Sequence, residues 1–303
     1  MTTEPTTMMN LSAIAYRKAK DIAGAVTNYD ADLSVVWGPA WKSTLFGNPY
    51  SLAFVARCES TGALTVVIRG TNPTSLSAWL GEDVDIDEAC PFSEFAPDVP
   101  PDAKISNGIA NALRYAMEQT PESGYAQEGL NLLEYLQGVE ELQSLTVTGH
   151  SLGGTLTPVL YAWLHGQLLA PGGNGSLKMD LMSFAGLTAG NQAFVDYLDT
   201  LISGTPAWRV VNPLDVAPRA FVSADDMKNI YVADGIECGR FEAQVIDHLF
   251  SVAAIPYVQP TEGELRLPEA IDPSESSWAG QATHQHHTST YLSLVGQLPT
   301  RTP

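Results

Sequence analysis

The clearest chemical signal in this sequence is a serine placed between two glycines. Gly149-His-Ser-Leu-Gly153 matches the G-x-S-x-G pattern, in which a strand turns sharply into a helix and the serine hydroxyl stays exposed at the turn. A β-branched run at 145–148 precedes the pentapeptide and a helical stretch to about residue 169 follows it. This context predicts that Ser151 is an acyl-transfer nucleophile, with the Leu152 backbone N–H as one donor to the oxyanion.

A serine nucleophile needs a base that accepts its proton and a carboxylate that orients the base. Where the nucleophile lies on this type of turn, the acid and then the histidine follow it along the chain. Asp215 follows a predicted strand at 208–211, so it is the candidate acid. Asp225 and Asp226, in the next loop, are the alternatives.

The base must be one of six histidines. His150 adjoins the nucleophile and should point away from its oxygen, His165 precedes the acid, and His248 lies in an apolar run. These three are therefore the weaker candidates. The histidines that remain are His284, His286 and His287.

The elements around these residues predict an α/β fold. Strands alternate with helices through the middle of the chain, which is typical of a mostly parallel central sheet flanked by helices. We predict one domain over residues 1–303. The predicted elements are helices at 11–26, 108–118, 125–139, 191–202 and 285–296 and strands at 51–56, 64–68, 145–148, 181–185 and 208–211. Two excursions lack periodicity: an acidic, Pro-rich one at 72–104 and a loop-rich one at 259–280.

Several further motifs follow one another in a defined order. They are Val67-Ile-Arg-Gly-Thr71, Gly149–Gly154, Phe184-Ala-Gly186 with Gly190–Phe194, Arg209–Pro218 and a His-rich stretch before Tyr291. This ordered set spans about residues 65 to 292 and resembles the class 3 lipases, a family of lipases, feruloyl esterases and related esterases. The resemblance implies an α/β-hydrolase fold with a lid-like excursion after the Arg-Gly-Thr strand. It also implies an ester hydrolase that needs no cofactor.

The same resemblance assigns the acid and the base. It points to Asp215 as the acid. In the family, the histidine stands four residues before an aromatic residue at the start of the last helix. Tyr291 is four residues after His287, so we assign the base to His287, with His286 and His284 as the alternatives.

The resemblance also places Thr71 beside Leu152 as the second donor to the oxyanion. After Thr71, the residues Leu76, Trp79 and Leu80 have i, i+3, i+4 spacing, so they form one apolar helical face. We predict that this face is a lid that contacts substrate. A short helix packed on the core is the alternative.

The signals for a metal site and for disulfides are weak. The acidic spacing of Asp83–Glu94 is similar to a calcium loop, but Glu88 replaces the required glycine and Pro91 interrupts the loop. We therefore predict a solvated acidic segment and no metal site, and no carboxylates converge on the C-terminal histidines. The three cysteines lack zinc-ligand spacing and indicate no disulfide framework.

The charge balance excludes one large class of function. The chain has 15 Lys and Arg residues against 34 Asp and Glu residues, for a net charge of −19. Because phosphate neutralisation needs basic clusters, ordinary nucleic-acid binding is excluded. No uncharged apolar stretch approaches the roughly 20 residues of a membrane span, and the N-terminus shows no signal-peptide pattern. We expect a soluble chain, cytoplasmic by default; a secreted chain that has lost its signal would have the same sequence.

These observations predict a serine carboxylic ester hydrolase, most similar to a lipase that cleaves acylglycerol-type esters through an acyl-enzyme. Feruloyl esterase and phospholipase A1 activities are alternatives within the class, and a lipase-like binding module without catalysis is the alternative outside it. The expected partners are a small-molecule or lipid ester and, transiently, a lipid interface. The segment from Glu82 to Asp102 contains eight Asp and Glu residues and no Lys or Arg. We therefore also expect neutral esters to be preferred over anionic ones.

Overall fold

The computed structural model describes residues 4–43, 49–70, 85–96, 98–169, 175–202, 208–260 and 263–299. Six residues singled out in the sequence lie outside these ranges: Thr71, Leu76, Trp79, Leu80, Glu82 and Asp83. The second oxyanion donor and the lid therefore stay predictions from the sequence.

The described strands form an eight-stranded mixed sheet and a two-stranded ribbon. In chain order they are β1 Leu33–Ser43, β2 Pro49–Cys58, β3 Leu64–Ile68, β4 Ala89–Pro91, β5 Lys104–Ser106, β6 Pro121–Ala126, β7 Ser144–His150, β8 Lys178–Phe184, β9 Arg209–Val211 and β10 Glu264–Arg266. The large sheet has the order β10-β9-β8-β7-β3-β2-β1-β6. Strands β3, β7, β8, β9 and β10 are parallel, whereas β2, β1 and β6 extend the sheet by antiparallel pairing. The prediction of a mostly parallel α/β sheet is confirmed.

Helices cover both faces of this sheet. In chain order the described α-helices are α1 Pro5–Ile14, α2 Ala19–Tyr29, α3 Asn107–Glu118, α4 Leu132–Gln137, α5 Leu152–Leu168, α6 Gln192–Leu201, α7 Ala224–Asn229, α8 Arg240–Val252, α9 Trp278–His286 and α10 Thr288–Val295. Among the described residues, no helix combines the length and the apolar character that a membrane crossing requires.

Alternating strand residues divide the core into two layers. In β2, Ala53 and Val55 pack into one layer, whereas Leu52 and Phe54 pack into the other. Successive side chains of a strand point to opposite faces, so both faces of the central strands are buried. Helix α5 is buried along most of its length in the first layer, and α1, α2 and α10 cover the second.

Three predicted helices differ from the structure. The stretch 11–26 contains a break between α1 and α2, because Lys18 is extended and caps α2. The stretch 285–296 is also divided, since His287 is extended between α9 and α10. The stretch 125–139 begins in β6, which pairs with β1. Apolar spacing does not detect such breaks, because one extended residue leaves the periodicity on either side nearly unchanged.

The carboxyl ends of three parallel strands meet at one edge of the sheet. Strands β7, β8 and β9 end at His150, Phe184 and Val211, and the register sets His150 opposite Phe184. Ser151 directly follows β7, and Asp215 lies in the loop after β9. In open α/β sheets, ligand sites form outside this edge. The fold therefore brings the two candidate residues to the same place.

Candidate active site

Ser151 occupies a sharp turn between β7 and α5. Its φ of 61° and ψ of −128° are strained for a residue with a side chain. The turn is held because Ser151 N–H donates to the Phe184 carbonyl at 3.0 Å and the Ser151 carbonyl accepts from Thr155 N–H at 2.9 Å. These bonds keep the hydroxyl at the edge of the sheet.

The glycines around Ser151 are required by close packing of the backbone. A Cβ on Gly149 would lie 2.5 Å from the Gly153 carbonyl oxygen. A Cβ on Gly153 would overlap the carbonyl oxygen of Ile68, at the end of β3. One on Gly154 would overlap the carbonyl oxygen of Phe184. The glycine spacing thus follows from the approach of β3 and β8 to the turn.

A hydrogen-bonded series joins Ser151 to a histidine and an aspartate. His286 Nε2 lies 2.8 Å from Ser151 Oγ, and His286 Nδ1 lies 2.9 and 3.1 Å from the two carboxylate oxygens of Asp215. All three residues are buried, with exposed fractions of 3%, 5% and 1% for Ser151, His286 and Asp215. Because a carboxylate only accepts hydrogen bonds, Nδ1 carries the proton and Nε2 can accept the serine hydroxyl proton. This arrangement can activate a serine as a nucleophile.

The assignment of the base to His287 is wrong, and the alternative His286 occupies that position. His287 is exposed, and its Nδ1 accepts from Ser289 N–H at 3.2 Å and lies 2.7 Å from Ser289 Oγ. As the N-cap of α10, it turns its side chain toward the first turn of its own helix. His286 is the last residue of α9 and reaches Ser151. Tyr291 is therefore five residues after the histidine beside the serine, not four.

The remaining alternatives from the sequence lie elsewhere. His284 Nδ1 is 3.0 Å from an oxygen of Asp272, in a partly exposed pair. His248 is exposed on α8. Asp225 and Asp226 form the first turn of α7. None of these residues is hydrogen-bonded to Ser151 among the contacts of the described chain.

His150 lies beside His286, with ring centroids 5.0 Å apart. It is buried, with an exposed fraction of 3%. Burial, with a smaller contribution from the charge on His286, lowers the pKa of His150 well below its usual value of 6.5. His150 is therefore neutral at neutral pH. A positive charge that forms on His286 meets no second cation at this ring.

Asp215 accepts hydrogen bonds from several directions. In addition to His286, Ala217 N–H donates to Oδ1 at 2.9 Å and the Tyr291 hydroxyl donates to Oδ2 at 2.8 Å. The Tyr291 oxygen accepts in turn from Asn212 N–H at 3.1 Å. Burial and the charge of Asp215 raise the pKa of Tyr291 well above 10, so this hydroxyl stays a donor. The buried carboxylate is thus hydrogen-bonded by Ala217, Tyr291 and His286.

A buried amide cluster holds the loop of Asp215 against the end of α9. Asn212 Nδ2 donates to the backbone oxygen of Gln285 at 3.0 Å and to its side-chain oxygen at 2.8 Å. Gln285 Nε2 continues to Gln281 Oε1 at 3.2 Å and to a backbone carbonyl of the loop before α9. Asn212, Gln281 and Gln285 each have an exposed fraction of 0%. Because Gln285 directly precedes His286, the cluster sets the distance between the side chains of Asp215 and His286.

The N-terminus of α5 points at Ser151. Leu152 is the first residue of this helix, so its N–H has no intrahelical acceptor. The positive end of the helix dipole favours negative charge at this point. A Cβ on Gly70 would lie 3.0 Å from Leu152 N, so the end of β3 meets the start of the helix here. Thr71, the predicted second donor, is the next residue along the chain.

Metal ligands are not assembled within the described chain, where no group of three or more His, Cys, Asp or Glu side chains converges. In the acidic segment, Glu94 pairs with Arg114 at 2.8 Å, and Asp85 accepts from Asn107 at 2.7 Å. Hydrogen bonding and charge from Asp85 raise the pKa of Asp87. The cysteines carry free thiols: Cys58, Cys90 and Cys238.

Sequence reasoning missed the polar residues that surround the Ser151–His286–Asp215 series. Asn212 lies inside the motif Arg209–Pro218, but the motif does not indicate that Asn212 bonds to Gln285. Gln285 lies in a polar run whose burial only the packing of α9 reveals. Tyr16 lies in the predicted N-terminal helix, where nothing in the local pattern links it to Ser151.

The chain is similar to known proteins in sequence and in fold. The family model for lipase (class 3) matches residues 65–224, more than half of the chain. M37 lipase has a TM-score of 0.81 at 25% identity, over 97% of this chain and 93% of that chain. The lipase from Rhizopus microsporus var. chinensis has a TM-score of 0.52 at 19% identity, over 71% and 67% of the two chains. The Rhizomucor miehei lipase propeptide complex has a TM-score of 0.50 at 21% identity, over 71% of this chain and 61% of that chain.

A search of curated proteins gave no match. The two structures with less than 25% identity agree with this chain in fold. Together with M37 lipase, they confirm the α/β-hydrolase fold that the sequence motifs imply.

Proposed function

This chain belongs to the class 3 lipase family, and we propose that Ser151, His286 and Asp215 form its catalytic triad. It is an ester-hydrolysing enzyme of the lipase and esterase class. The observation that carries the triad is the continuous hydrogen bonding from Ser151 Oγ through His286 to Asp215, at 2.8 and 2.9 Å. The strained turn at Ser151 supports the same role, because it presents the hydroxyl at the start of a helix.

The reaction follows from this geometry in two halves. His286 Nε2 accepts the hydroxyl proton while Ser151 Oγ attacks the ester carbonyl carbon, and Asp215 stabilises the imidazolium. The imidazolium then gives the proton to the leaving alkoxide, so an alcohol departs and an acyl-enzyme remains. In the second half, His286 takes a proton from water, and the resulting hydroxide attacks the acyl carbon. The carboxylic acid leaves and Ser151 regains its proton.

The tetrahedral intermediate of each half carries a negative oxygen. Leu152 N–H is one donor for it, because this group lies at the start of α5 beside Ser151. We assign Thr71 as a second donor on the basis of the sequence resemblance. Thr71 follows Gly70 along the chain, and a Cβ on Gly70 would lie 3.0 Å from Leu152 N.

A pair of serine variants tests this function. Ser151→Ala should lower kcat on a soluble p-nitrophenyl ester by about 10⁴-fold or more, because the nucleophile is removed. Ser289→Ala, next to the exposed His287, is the matched control and should keep wild-type kcat within about twofold. A fluorophosphonate should label Ser151 of the wild-type protein, as seen by mass spectrometry of peptides. Full activity in Ser151→Ala, or labelling elsewhere, would overturn the triad.

For the substrate, we propose neutral acylglycerol-type esters. The support is the family and the structural similarity to proteins whose names describe them as lipases. Initial rates on tributyrin, a long-chain triglyceride, phosphatidylcholine and methyl ferulate would decide this point. A higher kcat/KM on phosphatidylcholine would indicate a phospholipase A1, and a higher value on methyl ferulate would indicate a feruloyl esterase.

The preference for neutral esters follows from the charge of the chain. The net charge is −19, and the described part of the acidic excursion contributes Asp85, Asp87, Glu88, Glu94, Asp98 and Asp102. Such a field repels anionic substrates and the carboxylate product. A succinate monoester should therefore be hydrolysed more slowly than a neutral ester of the same length, and added salt should reduce the difference by screening. An identical salt response for the two esters would contradict this proposal.

A further inference from the structure

Tyr16 joins the segment between α1 and α2 to the turn that carries Ser151. Its hydroxyl donates to the His150 carbonyl at 3.2 Å and lies 3.3 Å from His150 Nδ1. The Tyr16 ring also makes an edge contact with the His150 ring, with centroids 5.9 Å apart. The N-terminal segment therefore reaches the residue that immediately precedes Ser151.

The Tyr16 hydroxyl lies near the N-terminus of α5. A Cβ built on Gly70 would be 2.8 Å from the Tyr16 oxygen and 3.0 Å from Leu152 N, so both atoms border the same small space. Burial raises the pKa of Tyr16 well above 10, and the charge of Arg69, followed by hydrogen bonding with the Gly70 backbone and the Ser151 side chain, lowers it by a smaller amount. The phenol therefore keeps its proton at neutral pH.

The hydrogen bonds of Tyr16 leave its proton available. The bond of 3.2 Å to the His150 carbonyl oxygen is longer than the usual O–H···O distance of about 2.7–2.8 Å, and the contact with His150 Nδ1 is 3.3 Å long. A hydroxyl binds an anionic oxygen more strongly than a neutral carbonyl. When a negative oxygen forms beside Leu152, the O–H bond can rotate from the His150 carbonyl toward it. Rotation of a hydroxyl costs little, so little reorganisation opposes this contact.

We propose that Tyr16 is a further catalytic residue whose hydroxyl donates a hydrogen bond to the oxyanion of the tetrahedral intermediate. This inference rests on the proposed role of Ser151.

As the bond from Ser151 Oγ to the carbonyl carbon forms, the C=O π pair moves to the carbonyl oxygen and the serine proton passes to His286. The Tyr16 proton remains on the phenol oxygen, so Tyr16 stabilises charge without transferring a proton.

Tyr161 provides a matched control for the removal of this hydroxyl. Its hydroxyl also donates to a backbone carbonyl, that of Leu201, at 3.2 Å, and the residue is buried. It lies nine residues beyond Leu152 on α5, roughly 14 Å along the helix. Tyr161→Phe therefore removes the same kind of bond far from Ser151.

The first measurement is steady-state hydrolysis of a neutral, soluble p-nitrophenyl ester by the full-length variants. Tyr16→Phe should lower kcat about 100-fold, as expected for one oxyanion donor, with KM within about twofold of wild type. Tyr161→Phe should keep wild-type kcat. Titration with a fluorophosphonate counts the reactive Ser151 sites, so that kcat refers to folded protein only.

The second measurement separates a donor from a structural role. A trifluoromethyl ketone adds to a reactive serine and forms a tetrahedral adduct with a negative oxygen, so it reports oxyanion binding directly. Its inhibition constant should rise in Tyr16→Phe by about the same factor as kcat falls. A kcat within about threefold of wild type, or a fall in kcat with unchanged ketone affinity, would overturn the role of Tyr16.

Failure of this inference can be told from failure of the proposed function. If Ser151→Ala stays active, or Ser151 does not react with fluorophosphonate, the triad is wrong and the role of Tyr16 falls with it. If Ser151 reacts and is required while Tyr16→Phe has wild-type kcat, only the inference about Tyr16 is wrong.

Discussion

Asn212 donates two hydrogen bonds from one side-chain nitrogen to Gln285, at 3.0 Å to the backbone oxygen and 2.8 Å to the amide oxygen. Through this contact, the loop of Asp215 is fastened to the residue that precedes His286. The backbone N–H of Asn212 also donates to the Tyr291 oxygen, and the Tyr291 hydroxyl in turn donates a hydrogen bond to Asp215. The buried Asn212 therefore constrains the positions of both Asp215 and His286.

Asn212→Asp should destabilise the protein strongly. The substitution replaces the donating nitrogen by an oxygen that faces two acceptor oxygens in a buried site. We expect a loss of about 3–5 kcal/mol in the free energy of unfolding, measured by urea denaturation, and a lower kcat in the protein that folds. Asn131→Asp is the control, because Asn131 caps α4 by accepting from Glu134 N–H and aspartate caps equally well. A loss below about 1 kcal/mol in Asn212→Asp would contradict this account.

Two adjacent histidines should differ in their effect on activity. His286→Ala should lower kcat by about 10⁴-fold or more, because it removes the group next to Ser151 Oγ. His287→Ala should change kcat by no more than about twofold, because His287 is exposed and its side chain bonds only to Ser289 among its described contacts. Steady-state kinetics on a p-nitrophenyl ester measures both. A larger loss in His287→Ala than in His286→Ala would reverse the assignment.

Tyr291→Phe should lower activity by weakening the orientation of Asp215. The variant loses a hydrogen bond of 2.8 Å to the carboxylate, a type worth about 1.5–3 kcal/mol. We expect kcat to fall about tenfold with little change in KM. Tyr231→Phe is the control: its hydroxyl donates to the Leu214 carbonyl at 2.7 Å, close to Asp215 but not to its carboxylate. Similar kcat losses in both variants would show that the effect is general packing.

The buried His150 should make stability depend on pH. Its pKa is lowered well below 6.5 by burial, so below about pH 6.5 the unfolded chain binds a proton that the folded protein does not. The free energy of unfolding should therefore fall as the pH falls, by up to about 1.4 kcal/mol per pH unit from this residue. His150→Gln should flatten the slope between about pH 6.5 and pH 5 in urea titrations, whereas His248→Gln, at an exposed site, should keep it. An unchanged slope in His150→Gln would disprove the origin of the effect.

Two glycines should respond in opposite ways to alanine. A Cβ on Gly153 would overlap the Ile68 carbonyl oxygen, and neither backbone segment can move freely. Gly153→Ala should therefore cost about 3 kcal/mol or more of unfolding free energy. Gly24 lies on the exposed side of α2 with no atom within 4 Å of its Cβ position, so Gly24→Ala should gain about 0.5–1 kcal/mol. Thermal melts of the two variants measure this difference.

The sheet and the turn at Ser151 could be predicted because their signals are local. The β-branched run before Gly149 indicates a buried parallel strand, and the glycine pattern reports the backbone approach that the structure contains. The strand β6 was not predictable in this way. Its residues Pro121–Ala126 are mostly exposed or partly exposed, so only pairing with β1 makes them a strand.

The choice between His286 and His287 depends on a break that sequence spacing does not contain. Counting four residues back from Tyr291 assumes one continuous helix, in which i and i+4 share a face. The extended backbone at His287, with φ of −68° and ψ of 142°, separates α9 from α10 and shifts the relationship by one residue. A shift of one position turns a helical side chain by about 100°. The local pattern could not resolve that difference.

The sequence by itself determined the family and the α/β sheet and indicated Ser151 and Asp215 as candidate site residues, since motifs and strand signals arise from neighbours along the chain. Only the tertiary structure decided which histidine meets Ser151, and that Asn212, Gln285 and Tyr16 surround the site. Asn212 and Gln285 are 73 positions apart in the sequence, and Tyr16 and His150 are 134 positions apart. Their contacts depend on the packing of separate elements onto one sheet edge, where burial makes each hydrogen bond obligatory.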